Sequence, residues 1–558
     1  MLTRYLAGQI FEVVLSSEAP FSGLAKAEKE FLWSIGASLV DILCALTGAQ
    51  DDITDSIMKQ NGIPRFLLVL LTSDHTPEEV LSATLDCLVS MSEENPVFAR
   101  LIVSDDDGKG LAILHRLVLQ SWPQSVMACG ILHNVFASMR WHDQNKGLSD
   151  ASDAILVSPL AKALEAVPSG LSAMTNGELH SSVGTARLAL ETLADIGTYL
   201  LQSIKGGKQR HQEEPEWNGF DDDNDDTEMA DAEPEDGGSY SEVEEGHAAE
   251  GASDSDHEMS DIEADMEMVT GFDGPEPGSG IDHLPTLRAL LQKAVPQLIR
   301  ISNIRDESAE SQTLRDLALS ALGNLAWTVS SLDFSDAHNS GVRRAWTPVA
   351  RRIWSKTISP AISIHTEDFA FARRVASLAC AVATSLHGEV PLAAGEHDRF
   401  MSLYLVAKAQ DPPDAPSVSS PKDEDPFLET GFLCVGVLGR LALPPAPLAL
   451  NRDIGSFLLS IISSKPRNPP ADIVEALGQL FDVYADEDSE CDRIFWEDGF
   501  LKRLEEAQPK LRDMVKLLDK RRLPELRTRA DEAVMNLGRF IQYKRKHAPL
   551  GSSNGMDS

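Results

Sequence analysis

The sequence predicts an all-α protein: an armadillo/HEAT-type α-solenoid superhelix with a long acidic disordered insertion. Three observations lead to this prediction. The chain of 558 residues is 42% hydrophobic but only 6% aromatic, and abundant leucine and alanine favour helices over a β-sandwich or barrel. A pair of helical patterns recurs along the chain. A single acidic stretch interrupts the series.

The second helix of each pair is rich in leucine and small residues, with apolar residues at i, i+3, i+4 and i+7. A first helix of mixed character precedes each one, in several cases after Gly or Pro. The shortest spacings between second helices approach the 40–47 residues typical of armadillo or HEAT units. An irregular helical bundle is the alternative, and eight repetitions argue against it. The second helices are predicted to begin at Val80, Ser125, Ala186, Leu314, Ala370, Phe427, Ala471 and Leu526.

The longest spacing contains the acidic stretch, which is therefore predicted to be an insertion between repeats. The predicted divisions are N-terminal armadillo/HEAT-like repeats at 1–204, a flexible insertion at 205–280, C-terminal HEAT-like repeats at 281–546 and a flexible tail at 547–558. From His211 to Glu267 there are 24 Asp or Glu and no Lys or Arg, well over half of the net charge of −38. Such a polyanion attracts basic proteins and repels nucleic acid, so we expect basic protein partners and no direct nucleic-acid binding.

The motifs needed for catalysis are missing from the sequence. It contains no GxGxxG, Walker, HExxH or GxSxG pattern. The six cysteines are scattered singly, without zinc spacing. We therefore expect a non-enzymatic, monomeric protein with no catalytic residues, cofactor or metal. No apolar run approaches the roughly 20 residues that span a bilayer, and the N-terminus does not read as a signal peptide, so no membrane association is expected.

Three asparagines occupy similar places in their second helices: Asn134, Asn324 and Asn536. A side-chain amide on the inner face of a solenoid can bond both the N–H and the C=O of an extended peptide. The alternative is a helix-terminal or inter-repeat hydrogen bond. Trp327 follows Asn324 by three residues and is either a platform for a bound side chain or a core residue.

The end of the acidic stretch, MSDIEADMEMV, places apolar residues at helical spacing with acids on the other face. It is interpreted as a short amphipathic helix that docks on a partner or on the solenoid; a wholly disordered tract is the alternative. Trp217 and Phe220 stand among acids and are a second candidate anchor. The predicted partner-binding residues near the end of the stretch are Asp254, Asp256, Glu258, Asp261, Ile262, Glu263, Asp265 and Met266.

The C-terminal combination DVYADE … LLDKRR … NLGRFIQYK resembles the closing repeats of the symportin family of armadillo/HEAT-type import adaptors. The resemblance covers about 34–546. It implies a chaperone that shuttles between cytoplasm and nucleus, carries the two large-subunit ribosomal proteins that accompany 5S RNA, and serves 60S ribosome assembly. One cargo would lie extended in the solenoid. The other, strongly basic, would be held with help from the acidic loop.

Family members begin with a basic, Pro-Tyr-type localisation segment and further repeats, whereas this sequence starts with MLTRYLAG. An importin-β-type receptor is therefore expected as a partner only where that segment is present. The rival hypothesis from another class is an acidic histone chaperone or chromatin scaffold, which also needs a polyanion. A regulatory scaffold for an enzyme such as a phosphatase is a third hypothesis, and it predicts little dependence of binding on the acidic insertion.

Overall fold

A computed structural model describes twelve stretches of the chain and three isolated positions between 54 and 58. Within them every regular element is helical and no strand occurs, which confirms the all-α prediction. The stretches are 25–47, 62–73, 76–104, 108–120, 123–143, 151–168, 176–204, 280–306, 308–363, 368–410, 426–463 and 468–548.

The described helices before the acidic stretch are α1 (Lys26–Thr47), α2 (Gly62–Thr72), α3 (Glu78–Ser92), α4 (Pro96–Ser104), α5 (Lys109–Val118), α6 (Gln124–Met139), α7 (Ala154–Glu165) and α8 (Asn176–Ile204). Turn residues set some of these boundaries. Gly108 precedes α5 in the left-handed region at φ 80°, a conformation that glycine adopts without steric cost.

The described helices after the stretch are α9 (Pro285–Ala289), α10 (Val295–Ser302), α11 (Ala309–Ser330), α12 (Ser340–Ile353), α13 (Ser359–Ile362), α14 (Phe369–Leu386), α15 (Glu396–Gln410), α16 (Thr430–Leu441), α17 (Leu448–Ser463), α18 (Pro470–Tyr484), α19 (Asp492–Glu497), α20 (Phe500–Leu517) and α21 (Pro524–Lys546). Short 3₁₀ turns lie at Ala337–Asn339 and Pro426–Leu428.

Two of the first helices contain one π turn each. Leu290–Ala294 joins α9 to α10, and Trp354–Ile358 joins α12 to α13. Each π turn is followed closely by a proline, Pro296 or Pro360. A proline inside a helix removes one N–H and clashes with the carbonyl four residues earlier, and a π turn accommodates that break without ending the helix.

The second helices stack on one another in a continuous row, which carries the core of the protein. Each member contacts the next in the order α1, α3, α6, α8, α11, α14, α16, α18 and α21. First helices form an adjoining layer, in which α2 contacts α5, α7 contacts α9, and α17 contacts α20. This arrangement confirms the predicted solenoid, because each repeat buries its apolar face against its neighbours.

Small residues allow the helices of the row to approach closely. In α6, the Ala128, Cys129 and Gly130 side of the helix is buried together with its leucine and phenylalanine side. A helix that is buried all round is expected in the interior of a layered fold. In α16, Gly439 packs so closely on α18 that an added Cβ would lie 2.1 Å from the Gln479 side-chain oxygen.

Two of the described helices, α1 and α14, are long and apolar enough to cross a membrane by composition alone. α14 is mostly buried and lies between α11 and α16 in the second-helix row. Core helices of layered proteins share this composition, and so do signal sequences, which lie near the N-terminus as α1 does. Two such helices are therefore weak evidence for a membrane span.

Candidate functional site

The second helices that flank the acidic stretch, α8 before it and α11 after it, pack directly on each other. A Cβ added at Gly197 would lie 3.2 Å from the Leu325 backbone nitrogen, which shows how closely the backbones approach. Thr328 Oγ1 donates a hydrogen bond to the Gly197 carbonyl at 2.8 Å, and Asn324 Nδ2 donates one to the Ala194 carbonyl at 3.1 Å. The repeats before and after 205–279 are therefore neighbours in the row.

The point where the chain re-enters the solenoid is fixed by a side chain from an earlier repeat. Asp143 accepts hydrogen bonds from the Thr286 backbone N–H at 3.0 Å and from Thr286 Oγ1 at 2.6 Å. Ser152 Oγ donates to the same carboxylate at 2.5 Å. Since a carboxylate at a helix N-terminus satisfies otherwise unpaired N–H groups, this contact holds the start of α9.

Trp327 lies on α11 in the second-helix row and is 40% exposed. Its Nε1 donates a hydrogen bond to Ser377 Oγ on α14 at 3.1 Å, so the indole bridges two repeats instead of lying in the core. An exposed indole held by its polar end presents an apolar surface to a partner. Stacking of a bound side chain on Trp327 stays a prediction.

The side-chain nitrogens of Asn134 and Asn324 donate hydrogen bonds within the protein. Asn324 bonds the Ala194 carbonyl, and Asn134 Nδ2 donates to Ser92 Oγ at 3.0 Å on the preceding second helix. These are the inter-repeat hydrogen bonds considered as the alternative. Asn536 is exposed on α21. A peptide contact through the amide oxygens of Asn134 and Asn324 remains a prediction.

Two carboxylates that the sequence analysis did not select lie beside this joint. Glu191 and Asp195 are on α8, and Asp195 is next in sequence to the Ala194 carbonyl that Asn324 bonds. Glu191 pairs with Arg187 at 2.8 Å. Asp195 is exposed, but the protein around its carboxylate removes part of its hydration and so raises its pKa; the His133 charge opposes that rise, and the Glu191 charge adds to it. A cation from a partner would favour the charged form of Asp195. The sequence ARLALETLADIGTYL does contain a signal for them, because it places two acids one helical turn apart.

The candidate residues of the acidic stretch lie outside the residues that the structure describes. This applies to the anchors Trp217 and Phe220. It applies equally to Asp254, Asp256, Glu258, Asp261, Ile262, Glu263, Asp265 and Met266. Their roles stay predictions. The structure does supply the two points from which the stretch starts and to which it returns, Ile204 at the end of α8 and Gly280 before α9.

The described cysteines do not resemble activated nucleophiles. Burial raises the pKa of Cys87, Cys129 and Cys380 to about 12, and a thiol is reactive only as the thiolate. Among the described residues, no group of three or more His, Cys, Asp or Glu side chains is placed to hold a metal ion.

The C-terminal repeat, which contains the NLGRFIQYK motif, has a buried ion pair. Lys544 is 0% exposed, and its Nζ lies 2.6 Å from Asp492 Oδ1. Trp496 Nε1 donates to the other Asp492 oxygen at 2.8 Å, and Lys544 Nζ also lies 5.4 Å from the centre of the Phe495 ring. The lysine of the IQYK motif therefore ties α21 to α19 and closes the last repeat.

A family model described as "SYO1-like, TPR repeats" matches residues 432–548 of the chain. Symportin 1 of Chaetomium thermophilum is 44% identical to this chain over 560 residues, which cover 98% of this chain and 82% of that protein. The chain belongs to the symportin family. This confirms the resemblance seen in the sequence.

Two other proteins are similar to this chain over shorter stretches. The armadillo repeat protein involved in nucleocytoplasmic transport Syo2 of Schizosaccharomyces pombe is 42% identical over 118 residues, 21% of this chain and 17% of its own length. Synchronized import protein 1 of Saccharomyces cerevisiae is 31% identical over 119 residues, 21% of this chain and 19% of its own length.

Proposed function

We propose that this symportin-family chain is a non-enzymatic chaperone and transport adaptor for basic large-subunit ribosomal proteins, the pair associated with 5S RNA. It would hold them during nuclear import and 60S assembly, and would itself move between cytoplasm and nucleus. The observation that carries the proposal is that α8 stacks directly on α11, although the sequence between them includes a segment with 24 acids and no Lys or Arg. The row of second helices is therefore continuous, and the acidic segment is an insertion between two neighbouring repeats.

The mechanism follows from charge. A ribosomal protein without its RNA carries many unpaired Lys and Arg side chains, and Asp and Glu of the acidic stretch can neutralise them. The field of the stretch also steers a basic partner toward the solenoid before contact. An extended segment of cargo would bind the solenoid at the α8–α11 joint, where α11 presents Trp327 and α8 presents Glu191 and Asp195.

Names of the relatives support the transport part of the proposal, since two of them refer to nucleocytoplasmic transport or import. An importin-β-type receptor is the partner that such a role requires. Its contact with this chain is proposed only through a basic localisation segment of the family type.

Co-purification followed by mass spectrometry tests the proposal against its rival. The full chain should retain 5S-associated ribosomal proteins and no core histones. Recovery of core histones without ribosomal proteins would replace the proposal with an acidic histone chaperone or chromatin scaffold. Binding that is indifferent to removal of the acidic stretch would instead favour a scaffold for an enzyme.

A charge-neutralised variant tests which part of the chain binds. The variant changes six predicted contact residues to Asn or Gln: Asp254, Asp256, Glu258, Asp261, Glu263 and Asp265. Exposed pairs contribute about 0.2–1 kcal/mol each, so the affinity for basic cargo should fall at least about tenfold. A matched control changes six exposed acids of the solenoid, which should have little effect: Asp41, Glu79, Glu94, Glu490, Glu506 and Glu532.

A further inference from the structure

The end of the solenoid opposite in charge to the acidic stretch is the α20–α21 hairpin. Residues 500–546 carry 14 Lys or Arg and 7 Asp or Glu, in a chain whose net charge is −38. The densest part is the end of α20 and the turn that follows it. We call this surface the C-terminal basic patch. It consists of Arg512, Lys516, Leu517, Lys520, Arg521 and Arg522.

The cations of the patch are available to a partner. Lys516 pairs with Asp513 at 3.2 Å, whereas Arg512, Lys520, Arg521 and Arg522 are exposed and have no ion-pair partner among the described residues. Unpaired cations this close together repel one another, so an anion bound there relieves that repulsion.

An exposed leucine lies among these cations. Leu517 is 79% exposed, the neighbouring Leu518 is half-buried, and Val515 is buried. A leucine this exposed, surrounded by cations, fits a partner that is acidic and carries some apolar surface. Basic cargo would be repelled by the same surface, so the patch does not suit the proposed cargo.

We infer that the C-terminal basic patch is the docking surface for the acidic run Asp221–Asp236 of the same chain. The run has ten Asp or Glu in sixteen residues, no Lys or Arg, and one large apolar residue, Met229. It is covalently tethered to the solenoid. An intramolecular ligand has an effective concentration in the millimolar range when its tether spans the two sites, which favours it over free polyanions.

Charge density selects this run, which has ten acids in sixteen residues against seven acids in the fourteen residues of Asp254–Glu267. The tether is also long enough for the run to reach the patch. From α8, at whose end Ile204 lies, to the α20–α21 repeat is five repeats. At about 8–10 Å per packed helix, with the patch at the far end of an α20 about 27 Å long, the separation is about 50 Å. Asp226 is 22 residues from Ile204 and can reach about 75 Å at about 3.3–3.6 Å per residue.

The two acidic parts of the insertion would have different roles. The run Asp221–Asp236 docks on the patch, while the stretch around Asp254–Glu267 stays within reach of Trp327 and of cargo. The docking itself does not depend on the identity of the cargo. Its regulatory consequence does rest on the proposed function: a basic protein that binds the insertion strongly enough would release the run from the patch.

Zero-length carbodiimide cross-linking of the full chain tests the contact directly, because it joins a lysine to a carboxylate only when they touch. At low salt, Lys516 and Lys520 should cross-link to acids of Asp221–Asp236, with yields about tenfold above those of the exposed lysine Lys502. At about 0.5 M salt the cross-links should fall severalfold, because the Debye length then drops below about 5 Å.

Charge-reversal variants that keep the lysines give the decisive comparison. The triple variant Arg512→Glu, Arg521→Glu and Arg522→Glu should lose about nine-tenths of these cross-links. A control with the same change in net charge should keep them: Arg305→Glu, Arg344→Glu and Arg373→Glu, three exposed arginines elsewhere on the solenoid. Leu517→Ser should lower the yield about threefold if Met229 contacts it.

Several outcomes would overturn the inference. Cross-links that are equally frequent at Lys502, or that persist in the triple variant, would mean unspecific attraction. Cross-links that join two copies, recognised by mixing isotopically labelled and unlabelled chains, would place the run on a second molecule. RNA retained by the parent and lost in the triple variant, without cross-links to the run, would make the patch an RNA-binding surface. Cargo binding in the co-purification experiment is read separately and can succeed or fail independently.

Discussion

Removing one member of the buried pair between Lys544 and Asp492 should open the last repeat. Lys544 is 0% exposed and its Nζ lies 2.6 Å from Asp492 Oδ1. Lys544→Met leaves a largely buried carboxylate without its cation, and such a loss costs about 3–5 kcal/mol. Exchanging the pair for uncharged residues of similar size costs much less. Lys544→Met with Asp492→Asn should therefore cost under about 2 kcal/mol, since Asn can still accept from Trp496.

Hydrogen exchange of α21 backbone amides is the appropriate assay, because a solenoid opens repeat by repeat and a global melting temperature averages over the array. At about 1.4 kcal/mol per factor of ten, Lys544→Met should speed exchange in α21 by about 10²–10³-fold while amides of α6 are unchanged. The double variant should recover most of this protection. Equal effects of the single and double variants, or a single-variant effect under tenfold, would refute the assignment of the pair as the closure of the solenoid.

Three further predictions concern the row of second helices. Burial raises the pKa of Asp472 to about 7, so this group's contribution to stability is full below about pH 4 and is lost as pH rises toward 7. The free energy of unfolding in urea of the parent, minus that of Asp472→Asn, should decline by up to a few kcal/mol from pH 4 to pH 8, and a flat difference would contradict this. Gly439→Ala places a Cβ 2.1 Å from the buried Gln479 oxygen and should cost about 1–3 kcal/mol, whereas Gly478→Ala, with nothing within 4 Å, should be neutral or slightly stabilising. Trp327→Ala should weaken an extended cargo peptide by about 1–3 kcal/mol in calorimetry relative to Ser377→Ala, which loses the same hydrogen bond between the two repeats; equal affinities of the two variants would remove Trp327 from the site.

The sequence was sufficient to identify most of the repeats. All eight predicted second helices lie in the stacked row, because their small residues and apolar periodicity are local signals. Short helices were missed: α4 and α19 have too few residues to show a period. α1 also joins the row, whereas the predicted series of second helices begins only at Val80.

Contacts between repeats were the part that sequence could not supply. The Asn324 bond to Ala194 joins positions 130 residues apart, and the Lys544–Asp492 pair joins positions 52 residues apart. Periodicity shows which face of a helix is buried but not which atom of a distant repeat lies against it. The asparagines therefore looked like candidates for peptide binding, and only the stacked helices revealed their partners.

The acidic stretch was identified from composition, whereas the surfaces around it required the fold. The position of Asp195 beside the α8–α11 joint and the exposure of Trp327 depend on how two repeats stack across the insertion. The C-terminal basic patch likewise depends on which cations already have carboxylate partners. The number of charges predicts the class of partner, but the ion pairs within the fold decide which charged side chains remain free to bind that partner.

The most direct test of the account is the salt dependence of binding between this chain and a purified basic ribosomal protein of the 5S particle. Affinity of the parent should be high at low salt and fall steeply as salt rises, since surface charges are screened within about 8 Å at physiological ionic strength. The chain lacking 205–279 should bind more weakly and with a much flatter salt dependence. Equal affinity and equal salt dependence of the two chains would contradict the claim that the acidic stretch holds the cargo.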